Sequence, residues 1–262
     1  MAHPQQLGFV RAVAEHLAQD FQGRKVLEIG SYDVNGSVRA CFAGSDYLGV
    51  DLTPGPGVDE VCAGDEVALP DESVDLAISC ECFEHTPRWS ETFLNMVRMT
   101  RPGGVVLFTC ATTGRLEHGT ARTSPDMSPG TRSVHASYYR NLTAADFRAR
   151  SAPDGLFDSH FFLTNRYSND LYFAGMKAGG PPRFRFESAR LKSQCSEKLE
   201  ADQRDVAARS RFPKVLAATL GAPLRLAQLL PDRQFQNFAL PYSRLVRWMF
   251  MRRGARTGGQ NS

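Results

Sequence analysis

Apolar residues fall in two rhythms along the chain. Between Leu7 and Phe21 they recur at Phe9, Val10, Val13, Leu17 and Phe21, a helical spacing that predicts a stripe packed on a sheet. Short stretches rich in apolar residues follow instead at Val26–Ile29, Ser45–Leu52, in the stretch from Leu69 that ends at Cys80, and at Val105–Cys110. Runs of this length without alternation suit strands buried on both faces. Glu60–Ala63 can add a short strand, and Ser37–Phe42 can open a helix whose free amides face a ligand. Trp89, Phe93, Met96 and Val97 mark a covering helix over Trp89–Met99, which Arg101-Pro102-Gly103-Gly104 is expected to stop. Strands alternating with helices in this way predict an α/β fold with a doubly wound, Rossmann-like, mostly parallel sheet.

In such sheets ligands bind past the carboxyl ends of the strands. Gly30 ends the first run, and the loop Gly30-Ser31-Tyr32-Asp33-Val34-Asn35-Gly36 gives the backbone freedom to approach a ligand. Its spacing lacks the Gly-x-Gly-x-x-Gly of dinucleotide folds. Asp51 closes the second run, about 20 residues beyond the glycine loop, where an acid can accept hydrogen bonds from both hydroxyls of a ribose. Asp65, in Gly64-Asp65-Glu66, is a further acid at the same sheet edge.

Composition narrows the class. The chain has 262 residues, 42% hydrophobic and 23% charged, enough for one α/β domain and an appendage. No apolar run approaches the roughly 18 to 20 residues of a membrane span, and Met1–Gln6 lacks the pattern of a signal peptide, so a cytoplasmic location is expected. Six cysteines sit mostly in or beside apolar runs, and Cys80-Glu81-Cys82 lacks zinc spacing, so reduced thiols are expected. The net charge of +3 hides an asymmetry: 16 basic residues against 6 acidic from Pro181 on, and 15 against 22 before it.

Residues from about Lys25 to Phe108 resemble the core of a class I S-adenosylmethionine-dependent methyltransferase of the type 11 group. The likeness rests on Leu27-Glu28-Ile29-Gly30, Gly49-Val50-Asp51, Gly64-Asp65, Leu69-Pro70 through Asp75, Phe83-Glu84-His85 and Arg101-Pro102-Gly103-Gly104, in that order. The resemblance implies S-adenosyl-L-methionine as cofactor. It gives Glu28 and Gly30 the methionine pocket, with Ser31, Asn35 and Gly36 in the same loop. Asp51 and Leu52 then stand at the ribose, Asp65 and Glu66 at the adenine, and the Cys80–Glu81 backbone at the methionine end. Leu156–Leu163 and Asp170–Lys177 would form the antiparallel pair that closes a seven-stranded sheet. The chain departs from the usual Gly-x-Gly-x-Gly by carrying Asp33 and Asn35 in the loop.

Methyl transfer from a sulfonium needs an aligned acceptor and, for a hydroxyl, a route for its proton. His118, in the loop after the fifth strand, and His85, after the fourth, are the candidate bases, with support of a loop as the alternative role for each. Ala111–Ser137 is too long for an idle connection and reads as a substrate-side lid. Thr143 and Asp146 have capping-box spacing, and Tyr139 and Arg140 just before them are candidate acceptor contacts, an aromatic anchor being the alternative. No acidic set stands out as a magnesium site, so metal independence is expected. The expectation is a methyltransferase domain over 1–180 and a basic, mainly helical extension over 181–262, acting on a small-molecule or glycan-like acceptor, with oxygen favoured over carbon or nitrogen. A non-catalytic cofactor-binding subunit and a nicotinamide enzyme remain alternatives. Leu245–Arg253 mixes bulky apolar residues with arginines, which suits peripheral membrane contact, a dimer arm or a helix packed on the body. A nucleic-acid partner is not expected.

Overall fold

A computed structural model describes residues 4–17, 21–130, 138–209 and 214–257. Helix α1 (Pro4–Leu17) leads into strands β1 (Lys25–Ile29), β2 (Asp46–Asp51), β3 (Glu60–Val61) and β4 (Val74–Cys80). Helix α2 (Trp89–Met99), strand β5 (Thr100–Ala111), helix α3 (Ala144–Ser151) and strands β6 (Phe157–Asn165) and β7 (Asp170–Lys177) follow. The seven strands form one sheet in the order β3-β2-β1-β4-β5-β7-β6. All neighbouring pairs are parallel except those of β7, which runs antiparallel to both β5 and β6. The order reverses at β1 and β4, and the crevice above their carboxyl ends is where a doubly wound sheet binds its ligand.

Each sheet face carries its own core. On one, Phe9, Val10, Val13 and Leu17 of α1 pack against Val26, Ile78, Val105 and Tyr172, with Phe9 stacked on Tyr172 at 4.5 Å between ring centroids. On the other, Phe93 and Met96 of α2 and Phe147 of α3 cover Leu27, Ala77, Phe108 and Phe173. Phe108 stacks between Phe147 at 4.4 Å and Phe173 at 5.0 Å. Every residue of β4 is buried, Asp75 and Ser79 included, as suits a strand covered on both faces.

Two local expectations change. Ser37–Phe42 yields only a short 3-10 turn, Arg39–Phe42, because the loop before it uses its own side chains: the Gly36 amide donates to Asp33 Oδ1 at 2.7 Å and the Arg39 amide to Ser37 Oγ at 3.1 Å. Arg101–Gly104 does not lie between helix and strand. Helix α2 ends at Met99, and the four residues bulge within β5, where pairing with β4 jumps from Val74↔Thr100 to Leu76↔Val105. In the tail, Pro223 and Pro241 lie inside helices.

Those helices are α4 (Ser188–Arg209), α5 (Lys214–Ala227) and α6 (Asp232–Thr257). The chain divides into two compact units, residues 1–208 and 209–262, and the start of the helical extension packs with the first. The reason lies in Phe184, Leu191 and Cys195, which join the α1-side core, and in Arg183, whose guanidinium pairs with buried Asp75 at 3.2 Å. In the second unit, Tyr242 ties α6 to α5 by donating to the Leu220 carbonyl at 2.9 Å. Among the described residues no helix is long and apolar enough to cross a membrane. The six cysteines carry free thiols.

Candidate active site

A cleft opens at the carboxyl ends of β1, β2 and β4, the place where a sheet of this order binds its ligand. Its floor is Gly30, with φ +83°; a Cβ there would stand 2.7 Å from Cys82 Cβ, so only glycine lets the loop after β1 pass so close to the loop after β4. Asp51 ends β2 and faces the cleft, its Oδ2 accepting the Tyr32 amide at 3.1 Å and its Oδ1 the Leu52 amide at 2.7 Å. Burial raises its carboxyl above the ordinary range against the pull of those two amides.

Asp65 stands on the next loop, paired with Arg88 at 2.9 Å. Asn95 of α2 positions that turn, donating to the carbonyls of Gly64 at 3.0 Å and Val67 at 3.1 Å. Glu81 follows β4 with φ +52°, a conformation that costs a non-glycine residue of order 1–3 kcal/mol and here bends the chain into the cleft wall. Arg115 reaches both Glu81, at 3.8 Å, and Asp170, at 3.7 Å, tying the loop after β5 to the site.

Past Glu81 the cleft meets His85 and Thr86. Behind His85 lies His118, ring centroids 5.1 Å apart and nearly perpendicular, and Tyr139 packs against both rings at 5.5 and 5.2 Å. Burial, with His118 adding to it, holds the His85 imidazole well below its ordinary pKa. Burial and then Arg115 push His118 down to about 4. Both rings are therefore neutral near pH 7. Glu84, fully buried beside them, has its carboxyl raised by burial; the Glu84 and Ala111 amides pull the other way, yet neither oxygen completes a hydrogen bond.

Among the residues expected from the sequence, Gly30, Asp51, Leu52, Asp65, Glu81 and His85 line the cleft. The others stand off it. Glu28 points to the α1 side of the sheet, where it accepts the Tyr47 hydroxyl at 2.7 Å. Ser31 is buried in the loop, Asn35 is exposed, and Gly36 is held by Asp33. Glu66 is exposed and Cys80 is buried in the α1-side core. His118 and Tyr139 form the layer behind His85, and Arg140 turns out to pair with Asp146 at 2.5 Å. Tyr32, Thr92 and the segment Met127–Gly130 line the cleft without having been expected by name. Met127–Gly130 belongs to the stretch read as a lid, whose residues 131–137 lie outside the described ones.

The sheet order and the row of acids at its edge define a class of nucleoside-binding α/β domain. Residues 27–108 match the family model described as a methyltransferase domain, and over this stretch the chain is similar to class I S-adenosylmethionine-dependent methyltransferases. An uncharacterized methyltransferase of Mycobacterium ulcerans (strain Agy99) is 32% identical over 97 residues, covering 32% of this chain and 38% of the relative. One from Mycolicibacterium paratuberculosis (strain ATCC BAA-968 / K-10) is 37% identical over 99 residues, with coverage of 32% and 38%. The chain thus spans well under half the length of these relatives. A solved S-adenosylmethionine-dependent methyltransferase from Mesorhizobium loti superposes with a TM-score of 0.47 at 14% identity, covering 66% of this chain and 98% of that one.

Proposed function

We propose that the chain transfers a methyl group from S-adenosylmethionine to a hydroxyl of a small-molecule or glycan-like acceptor. The observation that carries this reading is the single cleft in which Gly30, Asp51, Asp65 and Glu81 follow one another along the sheet edge and His85 stands at the far end. The residues fit the cofactor. Asp51 keeps lone pairs for two ribose hydroxyls beyond the amides it already accepts, Asp65 and the Gly64–Glu66 turn offer polar groups to an adenine, and the Cys80–Glu81 backbone bends toward the methionine end. When bound, the cofactor supplies a methyl already activated on a sulfonium. The chain then has to align the acceptor and handle its proton, which assigns His85 to the acceptor side, with His118 and Tyr139 fixing its ring.

Calorimetric titration with S-adenosylmethionine tests the first half. Binding is expected, and Asp51→Ala should weaken it by about tenfold or more, the scale of a lost pair of ribose hydrogen bonds. Methyl transfer to a panel of hydroxyl, amine and carbon acceptors tests the second. Affinity for NAD with none for S-adenosylmethionine would overturn the reading, and cofactor binding without turnover on any acceptor would favour a non-catalytic role. For the second unit we propose contact with an anionic surface or a second copy. Leu226, Leu229, Leu245 and Trp248 are exposed there, with Arg244 and Arg247 among them.

A further inference from the structure

We propose that Glu84, His85 and His118 bind one divalent first-row transition-metal ion, which presents an open coordination face to the acceptor end of the cleft. The role of this ion rests on the methyl-transfer reading, whereas its binding does not. One donor atom from each of the three side chains can be chosen so that all lie within 4.8 Å of one another. Ligands about 2.0–2.2 Å from a common ion stand at most about 4.4 Å apart, so the trio draws in slightly on binding.

A separate observation is that polar atoms of two of these side chains lack partners. Glu84 is 0% exposed and His85 5% exposed, yet both carboxylate oxygens of Glu84 and Nδ1 of His85 are buried with no hydrogen-bond partner. Orphaned buried polar atoms cost about 1–3 kcal/mol each and are rare without a reason. His118 is prepared in a different way. Its Nδ1 lies 3.1 Å from the Leu116 carbonyl, and an N–H donated there leaves the Nε2 lone pair for a metal. Tyr139 donates to the same carbonyl at 3.3 Å while its ring packs on both imidazoles, which fixes their orientation from outside.

Two imidazoles and one carboxylate select zinc, manganese, iron or cobalt over calcium and magnesium, which take oxygen ligands. Of the three, His85 lines the cleft, so an ion it holds would stand beside the acceptor end. Such an ion would bind the acceptor hydroxyl through oxygen and lower its pKa. The hydroxyl proton leaves to solvent, and the oxygen forms a bond to the methyl carbon as the carbon–sulfur bond breaks. Sulfur keeps that electron pair, giving the methyl ether and S-adenosylhomocysteine, with no net oxidation or reduction.

The test is a titration of the chelator-treated full chain with Co2+, read by its visible d–d absorption and by calorimetry. The expected result is saturation near one ion per chain, with affinity lowered about tenfold or more in Glu84→Gln and in His118→Ala. Glu84→Gln preserves shape and removes a buried charge, so it reports on ligation even where the histidine variant folds poorly; a thermal melt of each variant verifies folding. No Co2+ signal from the full chain, or equal affinity in folded Glu84→Gln, overturns the proposal. Co2+ binding without S-adenosylmethionine binding would leave the metal site standing and sink the methyltransferase reading, so the two failures are told apart.

Discussion

Glu28 shows what a buried acid does when its partner is neutral. Its carboxyl, 5% exposed, is pushed up to about 7 by burial, and the Tyr47 hydroxyl offsets that only in part. The folded chain therefore keeps this proton to a higher pH than the unfolded chain, whose value is near 4.5. Unfolding releases the proton between these two values, so stability falls as pH rises through the window and stays reduced above it. The full effect is on the order of 3 kcal/mol. Glu28→Gln keeps an acceptor for Tyr47 without the charge, and its melting temperature should exceed that of the natural chain at pH 8 by more than at pH 5. An equal difference at both pH values would show that Glu28 does not titrate in this window.

At the scale of elements, α3 depends on its first turn. The Thr143 hydroxyl accepts the Asp146 amide at 3.3 Å while Asp146 Oδ2 accepts the Thr143 amide at 2.9 Å, the reciprocal box that the sequence spacing predicts. Thr143→Ala should cost about 1 kcal/mol and lower the melting temperature by roughly 2–4 °C, with Thr143→Ser close to neutral; denaturant melts of the three proteins check the order. The same contrast explains what was legible beforehand. Helix α2 and strand β4 could be read because burial imposes a regular pattern on their residues. Gly30, Asp51 and Asp65 could be placed because they end strands of a recognisable order. The pairing of His85 with His118 and the approach of Met127–Gly130 to Asp51 come from loops folding back over the sheet, which no local period encodes. Asp33 was legible as an anomaly but not as a cap: its hold on the Gly36 amide draws the second half of the glycine loop off the cleft.

At the scale of the molecule, both cores and the whole cleft lie within residues 1–208. A chain ended after Ala208 should fold and bind S-adenosylmethionine as the full chain does, while losing any attachment to anionic vesicles or self-association that the full chain displays. Calorimetry, vesicle sedimentation and light scattering on the two proteins decide this, and lost cofactor binding in the short form would show that the second unit supports the site. Gly130 carries a consequence for how such a molecule would cycle. A Cβ at that position would stand 2.3 Å from Asp51 Oδ1, so the backbone of the overlying segment already occupies the space next to the ribose acid. If a ribose hydroxyl takes that oxygen, the segment must lift for each cofactor to enter and again for each product to leave. One carboxylate would then serve as both seat and latch, and the pace of turnover would be set by how often the latch lets go rather than by the bond being made.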